Sequence, residues 1–163
     1  DLKFSGEKSE FIIGDSTTIR EFCTLNRGTK DLGKSEVGNH CLLMAYVHIA
    51  HDCVIGDHSI LANGVQLGGH VEIGTHVTIG GMTPVHQFCK IGDYSTLLPN
   101  ATVGGFVNIG KNCIIGSGAN IHPKVNIAEN CILGIGSVIL QNVKKNKTVI
   151  SGTKNIILDH KKV

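Results

Sequence analysis

A six-residue hydrophobic period governs this chain. Stepping by six from Val37 gives Val37, Leu43, Ile49, Ile55, Leu61, Leu67, Ile73, Ile79, Val85, Ile91, Leu97, Val103, Ile109, Ile115, Ile121, Ile127, Leu133 and Ile139, without an exception. Ile13, Ile19 and Leu25 share the phase, and only Asp31 breaks it. A fixed repeat of this kind signals a solenoid, in which each unit buries its apolar face only against its neighbours. The position four residues after the aliphatic is small or β-branched, as at Cys41, Val47, Cys53, Ser59, Val65 and Thr83. The position directly after the aliphatic is often glycine, as at Gly14, Gly38, Gly56, Gly74, Gly92 and Gly110. Glycine accepts backbone angles closed to other residues, so these positions are expected to mark corners. Two inward positions per six residues describe short strands joined by tight turns. Three such strands make a triangular coil of 18 residues, and coils should stack at about 4.8 Å, the spacing of paired strands. The expected fold is an all-β parallel β-helix, a single domain over residues 1–163. A loop should leave its body at about residues 27–36, around Asp31, and a cap should close it at about 143–163.

Composition agrees with a solenoid. The 163 residues include 21 glycines, only 3 prolines and no tryptophan, so the core must be built from small and aliphatic side chains. A formal net charge of +2 gives no strong field to draw the chain to nucleic acid or to a membrane surface. No apolar run approaches the roughly 18 residues of a membrane span, and no signal peptide opens the sequence. The expectation is a soluble, cytoplasmic protein. Cys23, Cys41, Cys53, Cys89, Cys113 and Cys131 all fall at the small inward position, and none forms a CxxC pair. They read as core packing, with neither disulfides nor a metal site assigned to them. Six unpaired thiols suit a reducing compartment.

The histidines are not demanded by the repeat. His48 and His51 flank Ile49 in His48-Ile49-Ala50-His51-Asp52-Cys53, and His70 and His86 follow on neighbouring coils. Together they could line one groove. A neutral imidazole can take a proton from a hydroxyl or amine near pH 7, and Asp52 could orient His51. His40, His58 and His76 lie 18 residues apart and should stack in one column. The same column continues with Tyr94, Asn112 and Asn130, which favours a turn position that tolerates left-handed angles over a metal site.

Residues 1–95 resemble the UDP-N-acetylglucosamine O-acyltransferases of lipid A biosynthesis. The matching segments are Asp1-Leu2-Lys3-Phe4, Ile19-Arg20-Glu21, Asn26-Arg27-Gly28-Thr29, His48 to Cys53, Ile60-Leu61-Ala62-Asn63, Gly69-His70-Val71 and Gly80-Gly81-Met82-Thr83-Pro84-Val85-His86-Gln87-Phe88. Asn26 stands where that family commonly has histidine. The resemblance implies a left-handed β-helix, a handedness that spacing alone does not set, and a homotrimer with active sites between subunits. It implies His51 as general base for the sugar 3-hydroxyl, with Asp52 beside it. It implies substrate-binding or site-shaping roles for Lys3, His48, His70, His86 and Gln87. The acceptor would be UDP-N-acetylglucosamine and the donor an acyl chain on acyl carrier protein, with no tightly bound cofactor.

After about residue 95 the resemblance changes. The family's helical C-terminal domain has no counterpart, and hexapeptides run on through Val103 to Cys113. The segments Gly134–Val138 and Val149–Lys154 are similar to the closing coil and cap of acetyl-CoA-dependent sugar acetyltransferases of the sialic-acid and bacillosamine pathways. Lys144, Lys145 and Lys147 could meet CoA phosphates, but read more readily as a solvated basic tail. The chain also starts inside the family's Asp-Leu-Lys loop, so a hybrid or truncated protein with a junction near residue 95 is expected. Three readings stand at this point. One is the acyltransferase, the second an acetyl-CoA-dependent nucleotide-sugar acetyltransferase, and the third a trimeric scaffold with little or no turnover.

Overall fold

The structure, a computed structural model, describes residues 5–151. Every regular element among them is a β-strand, most of them two residues long, and together they build three parallel sheets. The first face runs from Glu10–Ile13 through Lys34–Val37 and Val54–Ile55 to Asn126–Ile127. The second runs from Thr18–Ile19 to Thr148–Val149, and the third from Thr24–Leu25 through His48–Ile49 and Gln66–Leu67 to Val138–Ile139. Successive strands in the chain belong to successive faces, so the backbone winds as a triangular prism. The architecture is the expected left-handed parallel β-helix.

The register confirms the period. Val54 pairs with Glu72 and Ile55 with Ile73, so equivalent residues lie 18 positions apart. The first coil is longer: Glu10 pairs with Lys34 and Thr24 with His48, a separation of 24. The six extra residues are the insertion expected around Asp31. They lie within residues 26–33, and Lys34–Val37 has already rejoined the first face as strand. Stacking continues unbroken across residue 95, where Thr78 pairs with Thr96 and Ile79 with Leu97.

The core is a ladder of like residues. Leu43, Ile49, Ile55, Leu61, Leu67 and Ile79 are fully buried, and their equivalents to Leu133 are all buried. The small inward position is filled by Val47, Val65, Val71, Val77 and the cysteines. All six cysteines are free; Cys23, on the first coil, is half-buried and the others are buried. Each thiol donates to a backbone carbonyl, as Cys53 Sγ does to Gly68 O at 3.2 Å.

The corners differ from the sequence expectation. The glycines that follow the aliphatic are not the left-handed residues. At Gly56 the constraint is crowding, because a Cβ there would lie 2.6 Å from the Gly74 carbonyl carbon of the next coil. The left-handed residue is two positions further on and is usually not glycine: His58 has φ 58°, His70 60°, Phe88 60° and Asp52 58°. Such a conformation costs an L-residue about 1–2 kcal/mol. Part of that is recovered because the corner N–H bonds to the preceding coil, as His58 N to Asn39 O at 2.8 Å. Stacking of the corner side chains contributes as well. His40, His58, His76 and Tyr94 form the expected column, with ring centroids 4.7–4.9 Å apart.

Candidate active site

Ile49 ends one strand of the third face, and the chain then turns at His51 and Asp52 towards the first face. Asp52 sits in the left-handed corner conformation, where aspartate is among the more tolerant residues. That conformation turns its carboxylate inward, and the side chain is 0% exposed. A buried carboxylate must be satisfied by donors. The inserted loop supplies them. Thr29 N donates to Oδ1 at 2.8 Å and Thr29 Oγ1 donates to Oδ2 at 2.6 Å. His51 Nδ1 lies 2.8 Å from Oδ2, and His70 Nε2 lies 3.6 Å from the same oxygen.

Burial by itself would push the Asp52 carboxyl up. The two Thr29 hydrogen bonds, the His51 contact and the charge of His70 outweigh it and hold the group below the ordinary carboxylate range. Asp52 is therefore an anion at neutral pH and can only accept hydrogen bonds. Its contact with His51 assigns the imidazole proton to Nδ1 and leaves a lone pair on Nε2.

Two neighbours set the ring position. Gly69, one coil on, lies under His51: a Cβ there would come within 2.6 Å of Cε1 and 2.8 Å of Nε2. Only glycine leaves room for the imidazole in this place. The His70 ring meets His51 edge to face, with centroids 5.2 Å apart, and itself stacks on Phe88 at 4.6 Å, which stacks on Phe106 at 4.9 Å. His51 opens onto a cleft of about 510 Å³ that Glu7, Thr29, Asp31, His70, Gln87 and Phe88 also line.

The structure thus brings together His51, Asp52, His70 and Gln87 among the residues singled out in the sequence. His48 and His86 lie apart from this cleft, on a shallow apolar groove of the third face with Pro84 and Val85. His48 Nδ1 contacts Thr24 Oγ1 at 2.6 Å, and the His86 ring rests over Gly105. The four histidines therefore do not share one groove within a single chain. Lys3 lies outside the described residues. Thr29, Glu7 and Asp31 escaped the sequence reading as site residues. The only signal for Thr29 was its place in Asn26-Arg27-Gly28-Thr29, inside the one insertion that interrupts the period.

A triangular solenoid with a His–Asp pair at a corner cleft has the fold of hexapeptide-repeat β-helices. The family model described as bacterial transferase hexapeptide (six repeats) matches residues 34–69 and 88–123. More particularly, the chain is similar to acyl-[acyl-carrier-protein]–UDP-N-acetylglucosamine O-acyltransferases. It is 60% identical over 68 residues to that of Helicobacter pylori strain Shi470, covering 41% of this chain and 25% of the relative. It is 54% identical over 68 residues to that of Verminephrobacter eiseniae. Among solved structures, a UDP-N-acetylglucosamine acyltransferase superposes with a TM-score of 0.64 at 50% identity, covering 69% of this chain and 45% of that one. The Arabidopsis enzyme gives a TM-score of 0.65 at 36% identity, covering 70% and 39%. The chain spans about a quarter of the length of the curated relatives it matches.

Proposed function

We propose that this protein transfers an acyl group from acyl carrier protein to the 3-hydroxyl of UDP-N-acetylglucosamine, with His51 as general base. The observation that carries the proposal is the relay Thr29–Asp52–His51. A buried anion fixes the imidazole tautomer, and the free Nε2 belongs to a ring on the cleft wall. In this reaction Nε2 takes the hydroxyl proton as the sugar oxygen attacks the thioester carbonyl. The C–O bond forms, the C–S bond breaks, and His51 returns the proton to the departing thiol. Asp52 stabilises the imidazolium in between. No cofactor need be resident, because the donor arrives already activated.

His70 and Gln87 line the same cleft and are placed to contact the sugar nucleotide. His48, His86 and Lys3 complete the site in the assembled protein, a homotrimer whose clefts are finished by a neighbouring copy. The junction near residue 95 belongs to this proposal: coils on both sides present the same stacking surface, so a hybrid folds as one solenoid. The protein works in the cytoplasm, where its six thiols stay reduced.

The test is a thiol-release assay on the purified chain. UDP-N-acetylglucosamine is offered with acyl carrier protein thioesters, and amino-sugar nucleotides are offered with acetyl-CoA, each repeated with His51→Ala. Turnover with the carrier-protein donor, lost in the variant, supports the proposal. Turnover with acetyl-CoA alone assigns the acetyltransferase reading instead. No turnover from a folded trimer makes the chain a scaffold, and a stable monomer in sedimentation removes the shared cleft.

A further inference from the structure

The corner that holds His51 also gathers a set of metal donors. His51 Nδ1, Asp52 Oδ2 and His70 Nε2 all lie within 4.8 Å of one another. The two separations that involve Asp52 Oδ2 are 2.8 and 3.6 Å. Donors around a tetrahedral Zn²⁺, with bonds of about 2.0–2.1 Å, stand about 3.3 Å apart. Small rotations of the two rings therefore suffice to converge all three on one ion. Asp31 Oδ2, 3.9 Å from His70 Nε2 on the exposed inserted loop, is within reach as a fourth donor.

We infer that His51, Asp52 and His70 form a binding site for a divalent transition metal, with zinc the best match, and that its occupancy switches His51 off as a base. Several features point this way. Two imidazole nitrogens and one carboxylate select zinc-like ions over magnesium or calcium, which take oxygen shells. Thr29 already bonds both oxygens of Asp52, the kind of outer support that orients a metal-binding carboxylate. Phe88 holds the His70 ring by stacking, so its orientation is set before any ion arrives. The His40–His58–His76 column makes the contrast. Those rings lie nearly parallel, at 6° and 28°, so their in-plane lone pairs run side by side instead of converging.

The chemistry balances without loss or gain of a proton at His51. Its Nδ1 lone pair forms the bond to the metal, and the single imidazole proton moves to Nε2. Nε2 is the atom required as acceptor for the proposed reaction. Metal binding thus turns the base into a hydrogen-bond donor. The inhibitory consequence rests on the reading of His51 as a base; the metal site does not.

The experiment uses the full chain, stripped with EDTA and dialysed. Calorimetry follows Zn²⁺ and visible d–d absorption follows Co²⁺. One ion per chain is expected. His70→Asn, which keeps a residue tolerant of the left-handed corner, should weaken binding by more than the roughly 10–100-fold lost when an outer-shell partner is removed. His58→Asn should bind as the parent does. In the unaltered protein, long-range ¹⁵N–¹H spectra should show the His51 ring proton on Nδ1 without metal and on Nε2 with zinc. That readout decides the matter even where His70→Asn does not fold. Absence of stoichiometric binding, equal binding by His70→Asn, binding lost instead in His58→Asn, or an unmoved His51 proton would each overturn the inference. If zinc binds as described but the chain shows no acyl transfer, the functional reading fails and the metal site stands.

Discussion

Replacing Gly69 with alanine isolates the position of the His51 ring from everything else in the fold. Gly69 does not hold a positive φ, so its backbone accepts alanine. The new Cβ would sit 2.6, 2.8 and 3.1 Å from Cε1, Nε2 and Nδ1 of His51. Carbon atoms settle about 3.5–4.0 Å apart, so the ring must withdraw by about 1 Å. The Nδ1 to Asp52 Oδ2 bond, now 2.8 Å, would then stretch past the roughly 3.2 Å limit of a good hydrogen bond. A hydrogen bond to a charged group contributes about 1.5–3 kcal/mol, and a misplacement of about 1 Å can cost about 100-fold in rate. The expected result is a kcat lower by about 100-fold with little change in KM. Stability should fall by only about 1–2 kcal/mol, because glycine to alanine gains about 0.4–1 kcal/mol through the unfolded chain and offsets part of the lost hydrogen bond. The assay is steady-state thiol release beside a thermal melt. Turnover within about threefold of the parent, a change of only about 0.7 kcal/mol in barrier, together with an unshifted His51 ring resonance, would refute the argument.

Other consequences follow from the same corner and core. Asp52→Asn keeps the left-handed corner and an acceptor for Thr29 N, but its amide cannot accept from His51 Nδ1. Activity should fall by about 10²–10⁴ and stability by about 1–3 kcal/mol, read by kinetics and urea unfolding; a fully active variant would dismiss the relay. Because the folded Asp52 carboxyl titrates below its unfolded value, its contribution to stability is complete above about pH 4 and is lost as pH falls through the folded value. Protection of the Thr29 amide, which donates to Asp52, measured against its intrinsic exchange rate, should therefore fall on acidification and hold at neutral and alkaline pH. Protection that stays constant into strong acid would contradict this. Iodoacetamide at mildly alkaline pH should label half-buried Cys23 well before Cys41, Cys53, Cys89 or Cys113, whose thiols burial pushes up. Uniform labelling of the native protein, followed by mass spectrometry, would show the coils to be open.

Nearly all of the architecture was legible in the residue pattern. An inward aliphatic every six residues can be buried only by a coil of three short strands, and Val37 to Ile139 obey that rule without exception. The break at Asp31 announced the insertion, and the 18-residue spacing of His40, His58 and His76 announced their stacking. The glycine corners were misread. A missing side chain in the sequence does not say whether it serves conformational freedom or a close approach, and at Gly56 the neighbouring coil decides. The candidate site was half visible. His51 and Asp52 are adjacent in sequence and stood out as a pair. Thr29 is 23 residues away from Asp52, and His70 and Gly69 belong to the next coil. Their meeting depends on how far the inserted loop folds back and on how one coil sits on another. Periodicity is a local property that burial imposes on every repeat alike, so the sequence alone determines the solenoid. The tautomer of one histidine depends on the donors and acceptors that stacking brings within 3 Å of it, and only the tertiary structure decides that.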